Sequence, residues 1–379
     1  MFRLIIIIFL FLLSLVNFIP AQSKELWYVS ILIPEFPYFF FLAMIPLLFW
    51  SYKKEKYRAA CLTFGVAAFL IFCSPVVRAY NVGKNLNSEL VNACGEKVNN
   101  LNGFREHQPF SFWQMFFGNG AKEIPFKTYQ YAVNGGEKLS LNFTPSAMPG
   151  VRPCLFVVHG GSWKRGDNSE IAAMNNYFAN AGYQVSTMNY RLAPKFHSPA
   201  TQDDVKSAFK WLKAHAVELK IDTNNFVMLG RSAGGQIVAT SAYVNTEPGV
   251  KGVMIFYGPN DMFWSYKHPD NPLIMDSKMV QRDFLGGSPT HVPDRYKAES
   301  AYLFINRKTL PTLQVHGMID AHVHYEQSLR MAKKLDQFGV KNFLLSLPWA
   351  THGCEYNLNG PSGQLSVYSM ERFAYAVTH

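Results

Sequence analysis

The chain has 379 residues, enough for one large domain or two of ordinary size, and 49% of them are apolar, with 31 Phe. Its formal net charge is +10, yet no run of Lys/Arg interleaved with aromatics occurs in the globular part, which argues against nucleic acid as a partner. Five cysteines (Cys61, Cys73, Cys94, Cys154 and Cys354) are odd in number and lack C-x-x-C spacing, so no structural zinc site is expected and their pairing stays open.

Residues 1–80 read as membrane-embedded. Arg3 precedes an almost unbroken apolar run over residues 4–16, which fits a signal peptide ending near Ala21-Gln22-Ser23 or a short first transmembrane helix. Residues 36–50 and 59–77 form a second and a third run, and Trp27 and Tyr28 ahead of the second suit interfacial anchors. Much of the aromatic excess lies here, and seven Lys/Arg against three Glu put part of the positive charge at membrane flanks. Residues 51–58 hold four basic residues, which makes that loop cytoplasmic by the positive-inside rule. The expectation is about three transmembrane helices, a multi-pass chain in contact with membrane lipid, and a catalytic part on the exoplasmic side (periplasmic in a bacterium).

Residues 81–125 form a polar connector rich in Asn, Lys and Gly, with one helix near residues 88–99. Its aromatic stretch 109–117 suits packing against the catalytic core, with a place on the membrane surface or over a pocket mouth as alternatives. From residue 126 to 379 strand and helix alternate. Strands are expected at 127–133, 139–143, 154–158, 183–188, 226–229, 252–257, 310–315 and 343–347. Helices are expected at 169–181, 200–219, 236–244, 326–338 and 363–377. Residues 258–307 form a polar and aromatic insertion that would act as a cap shaping the substrate pocket. Repeated βα units imply an α/β domain with a mostly parallel sheet of about eight strands flanked by helices.

The chemistry centres on Gly230-Arg231-Ser232-Ala233-Gly234, set between an apolar strand and a helix. In that setting a G-x-S-x-G match denotes a tight turn that lifts the serine hydroxyl clear of the sheet. A serine nucleophile needs a base, an orienting acid and donors for an oxyanion. The strand at 154–158 runs into His159-Gly160-Gly161-Ser162-Trp163, whose glycines leave amides accessible; with the Ala233 N–H they suit an oxyanion hole. Asp320 follows a strand, whereas Asp261, Asp270 and Asp276 lie in the insertion with no strand to fix them. His352 follows the last strand and is the expected base, with His316, His322 and His324 as competitors. His322 and His324 lack a third ligand, so neither metal nor cofactor is expected.

Six motifs carry a family resemblance: His159-Gly-Gly-Ser-Trp163, Tyr190-Arg-Leu-Ala-Pro194, Pro199-Ala200 with Asp204, Gly230-Arg-Ser-Ala-Gly-Gly235, His316-Gly317 with Asp320, and His352-Gly353. In this order they resemble the esterase/lipase branch of the α/β-hydrolases, similar to its hormone-sensitive-lipase-like and feruloyl/acetyl-esterase-like carboxylesterases, over residues 126–379. The resemblance implies the α/β-hydrolase fold, Ser232 as nucleophile, Asp320 as acid, His352 as base, and Gly160, Gly161 and Ala233 as oxyanion donors. It also implies that Asp204 and Arg191 tie loops beneath the site. Arg231 departs from the pattern, since many hormone-sensitive-lipase relatives carry Asp there, and His324 stands where Pro is frequent. The expected activity is that of a membrane-tethered serine carboxylesterase acting on a small-molecule or lipid-like ester without a cofactor. An acyltransferase or amidase with the same triad, or a non-catalytic binding protein of this fold, are the alternatives.

Overall fold

Four helices lead the chain: α1 (Phe2–Ser14), α2 (Lys24–Glu35), α3 (Pro37–Lys53) and α4 (Arg58–Cys94), followed by the short α5 (Gln114–Phe117). They belong to a computed structural model that describes residues 1–99 and 107–379, so residues 100–106 of the expected connector lie outside it. The strands are β1 (Lys127–Asn134), β2 (Glu137–Thr144), β3 (Arg152–Val158), β4 (Gln184–Met188), β5 (Ile221–Arg231), β6 (Val250–Phe256), β7 (Thr312–Gly317) and β8 (Asn342–Leu347). They form one sheet in the order β1-β2-β4-β3-β5-β6-β7-β8. β1 and β2 pair antiparallel, as do β2 and β4, and the remaining pairs are parallel. This is the mostly parallel eight-stranded sheet expected of an α/β-hydrolase fold.

Alternation along the central strands fills a core on each face, because successive side chains point to opposite sides. Phe156 and Phe226 face α7 (Ala200–Ala214), which the four-residue α8 (Ala216–Leu219) follows, and α9 (Ala233–Val244). Leu155, Val227 and Leu313 face the other way, towards α6 (Ala172–Asn180) and the C-terminal helix. The stretch between β6 and β7 holds three short helices, α10 (Met262–Lys267), α11 (Ser277–Leu285) and α12 (Pro293–Ala298). α13 (Glu326–Gln337) connects β7 to β8, and α14 (Pro361–Thr378) closes the chain.

α4 does not stop at residue 80. Ala79, Leu86, Leu90 and Cys94 recur at helical spacing, are buried, and share a core with Phe373 of α14 and Leu345 of β8. Packing on that face keeps an otherwise polar sequence helical. The aromatic stretch before and within α5 divides: Phe110 and Met115 enter the same core, while Trp113 and Phe117 are exposed.

Among the described residues one helix, α4, is long and apolar enough to cross a membrane, or two if α2 and α3, bent by 82° at Phe36, form one broken span. This corrects the expectation of about three transmembrane helices in a multi-pass arrangement. The first apolar run folds into 13 residues, about 20 Å at 1.5 Å per residue, against a hydrocarbon core of roughly 30 Å. α1 and α3 nevertheless pack beside α4. Arg3 donates to the carbonyl oxygens of Trp50 at 3.0 Å and Lys56 at 2.5 Å, so the N-terminus meets the basic 51–58 loop.

Candidate active site

The turn at the end of β5 is a steric solution. Ser232 has φ 53° and ψ −119°, a conformation that side chains rarely adopt and that stores about 1–3 kcal/mol of strain. A methyl group on Gly230 would lie 2.1 Å from the Gly234 carbonyl oxygen, and one on Gly234 would lie 2.2 Å from that of Val158. Both clashes are with backbone, so only glycine fits on either side. The Ser232 amide donates to the Phe256 carbonyl at 2.9 Å, which ties the turn to the next strand.

His352 lies beyond β8 and Asp320 beyond β7, and the sheet brings both to Ser232. The Ser232 Oγ is 2.9 Å from His352 Nε2, and His352 Nδ1 is 2.7 Å from Asp320 Oδ2. The other Asp320 oxygen accepts from the amides of His322 at 2.7 Å and Val323 at 3.0 Å. Burial works against the Asp320 charge, but the adjacent His352 ring and the hydrogen bond from His316 hold its carboxyl below the usual carboxylate range. With an ionised acceptor at Nδ1, that nitrogen carries the proton and Nε2 is free to accept from the hydroxyl. A hydroxyl, an imidazole and a carboxylate in this series are the arrangement by which serine is activated for acyl transfer.

The glycine loop after β3 crosses over the turn. Gly160 and Gly161 line the cavity with Ser232, and a methyl on Gly160 would stand 3.5 Å from the Ser232 Cβ. The Tyr190 hydroxyl donates to the carbonyl oxygens of His159 at 3.3 Å and Gly160 at 3.2 Å. Each trans peptide sets its N–H opposite its C=O, so the amides of Gly160 and Gly161 are turned away from Tyr190. Ala233 is buried as the first residue of α9, directly after Ser232, where a helix leaves its N–H without an intrahelical partner. Trp163 fastens the loop by donating from Nε1 to Gln236 Oε1 at 3.0 Å and stacking on Phe284 at 4.5 Å.

The competing residues have other partners. His316 is buried behind Asp320, with Nε2 3.3 Å from Asp320 Oδ2, and also contacts Ser328 Oγ at 2.8 Å and the Val323 carbonyl at 3.0 Å. His324 approaches Asp270 at 3.6 Å. Asp261 caps α10 and pairs with Arg330 at 2.9 Å, while Asp276 caps α11. Asp204 receives Arg191 at 2.9 Å and the amide of Arg191 at 2.8 Å, a tie between the loop after β4 and α7. Arg231 is buried and meets Glu170 at 2.5 Å and Glu355 at 3.3 Å, and Glu355 in turn accepts from the Tyr257 hydroxyl. All five cysteines are free.

Sequence reasoning missed a layer that covers Ser232, His352 and Asp320. His322 stacks on His352 at 5.0 Å, and Trp27 of α2 packs at a tilt against His322, the ring centroids 4.2 Å apart. Trp27 also donates from Nε1 to the His352 carbonyl oxygen at 2.9 Å. Burial, then the neighbouring His352, pushes the His322 imidazole down to about 3, so it stays neutral. The cavity above Ser232 has a volume of about 470 Å³, within the range of small-molecule sites. Its apolar side comes from α2 and the bend after it; the 258–307 insertion expected to shape it contributes only Met275. Ser23 caps α2 by accepting from the Leu26 amide, and Ser23-Lys-Glu25 is the one sequence signal that marks this helix.

The chain is similar to known esterases in sequence and in fold. Esterase LipC of Mycobacterium tuberculosis is 26% identical over 216 residues, 53% of this chain and 53% of that protein. Carboxylesterase NlhH of the same species is 33% identical over 98 residues, 26% of this chain and 31% of that protein. The chain thus spans about half the length, or less, of these relatives. Among solved structures, the Thermogutta terrifontis esterase Est2 has a TM-score of 0.51 at 24% identity, covering 62% of this chain and 84% of that one. Carboxyl esterase 2 of Tuber melanosporum has a TM-score of 0.59 at 19% identity, covering 69% and 90%. These two share the fold. The BD-FAE family pattern matches residues 142–335, just over half of the 379 residues, and the chain belongs to that family.

Proposed function

We propose that the protein is a membrane-tethered serine carboxylesterase. The observation that carries this reading is the unbroken hydrogen-bond series from the Ser232 hydroxyl through His352 to the buried Asp320. The esterases among its relatives support the same class of reaction. Ser232 Oγ bonds to the ester carbonyl carbon as His352 takes the hydroxyl proton. The tetrahedral oxyanion is held by the amides of Gly160, Gly161 and Ala233. His352 then gives the proton to the alcohol oxygen as the ester C–O bond breaks. Water, deprotonated by His352, cleaves the acyl-enzyme, releases the acid and returns the proton to Ser232. The chemistry uses side chains and amides of this chain throughout.

The tether is the leading helical layer. α1 exposes Phe2, Ile5, Phe9 and Leu12; α3 exposes Phe39, Leu42, Ile45 and Phe49; α4 exposes Val66, Leu70 and Val77. Apolar stripes on neighbouring helices are the surface a bilayer covers. In this reading the first half of α4 crosses the lipid with α1 and α3 packed beside it, the basic 51–58 loop on the cytoplasmic side and the catalytic domain on the other. Replacing Ser232 by Ala in the full-length protein abolishes turnover of short p-nitrophenyl esters and labelling by a fluorophosphonate. Turnover that survives this substitution refutes the assignment.

A further inference from the structure

α2 belongs to two places at once. It continues through an 82° bend into the apolar helix α3, and it also forms one side of the cavity above Ser232. Trp27, Tyr28, Ile31, Leu32 and Phe36 line that side at helical spacing, a strip about 13 Å long at 1.5 Å per residue. Tyr28 and Leu32 are about half exposed, so the strip runs from the cavity to the outer surface rather than ending in a closed pocket. Leu26 on the same helix is exposed too. The rest of the lining includes Glu170, the buried Arg231 and the exposed Arg165, which has no ion pair among the described residues.

A site with one apolar wall open towards an apolar helical layer and one charged rim sorts an amphiphile end for end. We propose that α2 is an acyl-chain wall, and that the substrate is an acyl ester drawn from a lipid layer with its chain along Tyr28, Ile31, Leu32 and Phe36. The polar part of the ester then lies towards Arg165. This rests on Ser232 as the nucleophile and adds the substrate class and its route of entry. A small water-soluble ester uses the same triad but leaves the strip uncovered, so it gains nothing from the wall. Each buried methylene group adds about fourfold to binding in the transition state when the strip covers it.

The test uses the full-length protein in vesicles of diether phosphatidylcholine, which carries no ester, with p-nitrophenyl acetate or p-nitrophenyl decanoate as substrate. The expected ratio of kcat/KM, decanoate over acetate, is above tenfold. The double variant Ile31→Gln/Leu32→Gln lowers that ratio at least tenfold, whereas Leu32→Met restores the chain preference. Ile31→Trp keeps α2 apolar but shortens the strip, and shifts the preferred chain to shorter esters, which serves if the double variant does not fold. A ratio that neither the double variant nor Ile31→Trp alters, or one near unity in the parent, overturns the acyl wall. Fluorophosphonate labelling of Ser232 in the same samples separates the two levels: a labelled parent with no chain preference sinks the wall alone, and an unlabelled parent sinks the hydrolase reading with it.

Discussion

The indole N–H of Trp27 donates to the carbonyl oxygen of His352 at 2.9 Å, across 325 residues of sequence, while its ring packs at a tilt against His322. His322 lies in turn against the His352 ring, and Tyr257 packs on His352 at 4.1 Å. A helix of the leading layer therefore fixes the loop that carries the imidazole. A base must be held within a fraction of an ångström of the proton it takes, so the contact bears on rate as well as on stability.

Trp27→Ala removes both the hydrogen bond and the ring contact, and kcat for a short ester is expected to fall about tenfold, as the loss of one net hydrogen bond of roughly 1 kcal/mol plus ring packing implies. Trp27→Phe keeps a ring against His322 and falls less. Steady-state kinetics on the two variants decide it; a Trp27→Ala enzyme as fast as the parent removes α2 from any part in positioning His352.

Asp320→Asn is expected to lower kcat by about 10⁴, because an amide in place of the carboxylate no longer selects the His352 tautomer. The same residue has a stability signature. Its folded carboxyl lies below the unfolded value of about 3.9, so its contribution is fully present above that pH and is lost as pH falls through the folded value. Thermal melts of parent and Asp320→Asn therefore converge as the pH is lowered below about 4.

Asp270 behaves in the opposite sense. Burial first, and the nearby Asp320 charge second, push its carboxyl up to about 8. His324 at 3.6 Å is too distant for a hydrogen bond and does not reverse this. The folded state keeps a proton that the unfolded chain releases near pH 4, so stability declines between about pH 4 and about pH 8. Asp270→Asn, which needs no proton, is expected to melt above the parent at the upper end of that window and near it at the lower end. A constant difference across the range contradicts this account.

Arg231→Ala is expected to destabilise by about 3–5 kcal/mol in chemical denaturation, since it strips the buried Glu355 of its cation. Arg231→Lys recovers part of the loss, because an ammonium is a point charge and cannot span Glu170 and Glu355 as the guanidinium does. Two carboxylates converge on this position.

The strands of the sheet and the turn at Ser232 were legible because their signals are local. Apolar runs of strand length alternate with helical spacing, and glycines flank a serine where any side chain would strike backbone. Asp320 and His352 were legible through the positions of β7 and β8. Nothing local distinguishes His322, whose partners are a triad histidine 30 residues on and a tryptophan 295 residues back. Trp27 and Tyr28 suit interfacial anchors by composition, and only packing reveals that Trp27 turns to the triad. The three apolar runs were visible too, but hydropathy does not report the bend before Pro37 or the short length of α1. The aromatic richness of residues 258–307 pointed to a pocket wall, yet Phe263 and Tyr266 pack on the core around Tyr296 instead.

The 37 residues of α4 make a rod about 55 Å long, of which a bilayer interior would take roughly 30 Å in the proposed tethering. The rest is clamped under β8 and α14 through Leu86 and Leu90, and Arg78, near the midpoint, donates to the carbonyl oxygens of Asn17 at 2.9 Å and Pro348 at 3.5 Å. A domain mounted on such a mast does not swing on a tether. In the membrane-tethered reading its mouth is held at one height and one tilt above the lipid, so geometry selects which esters reach the serine before any chemistry begins.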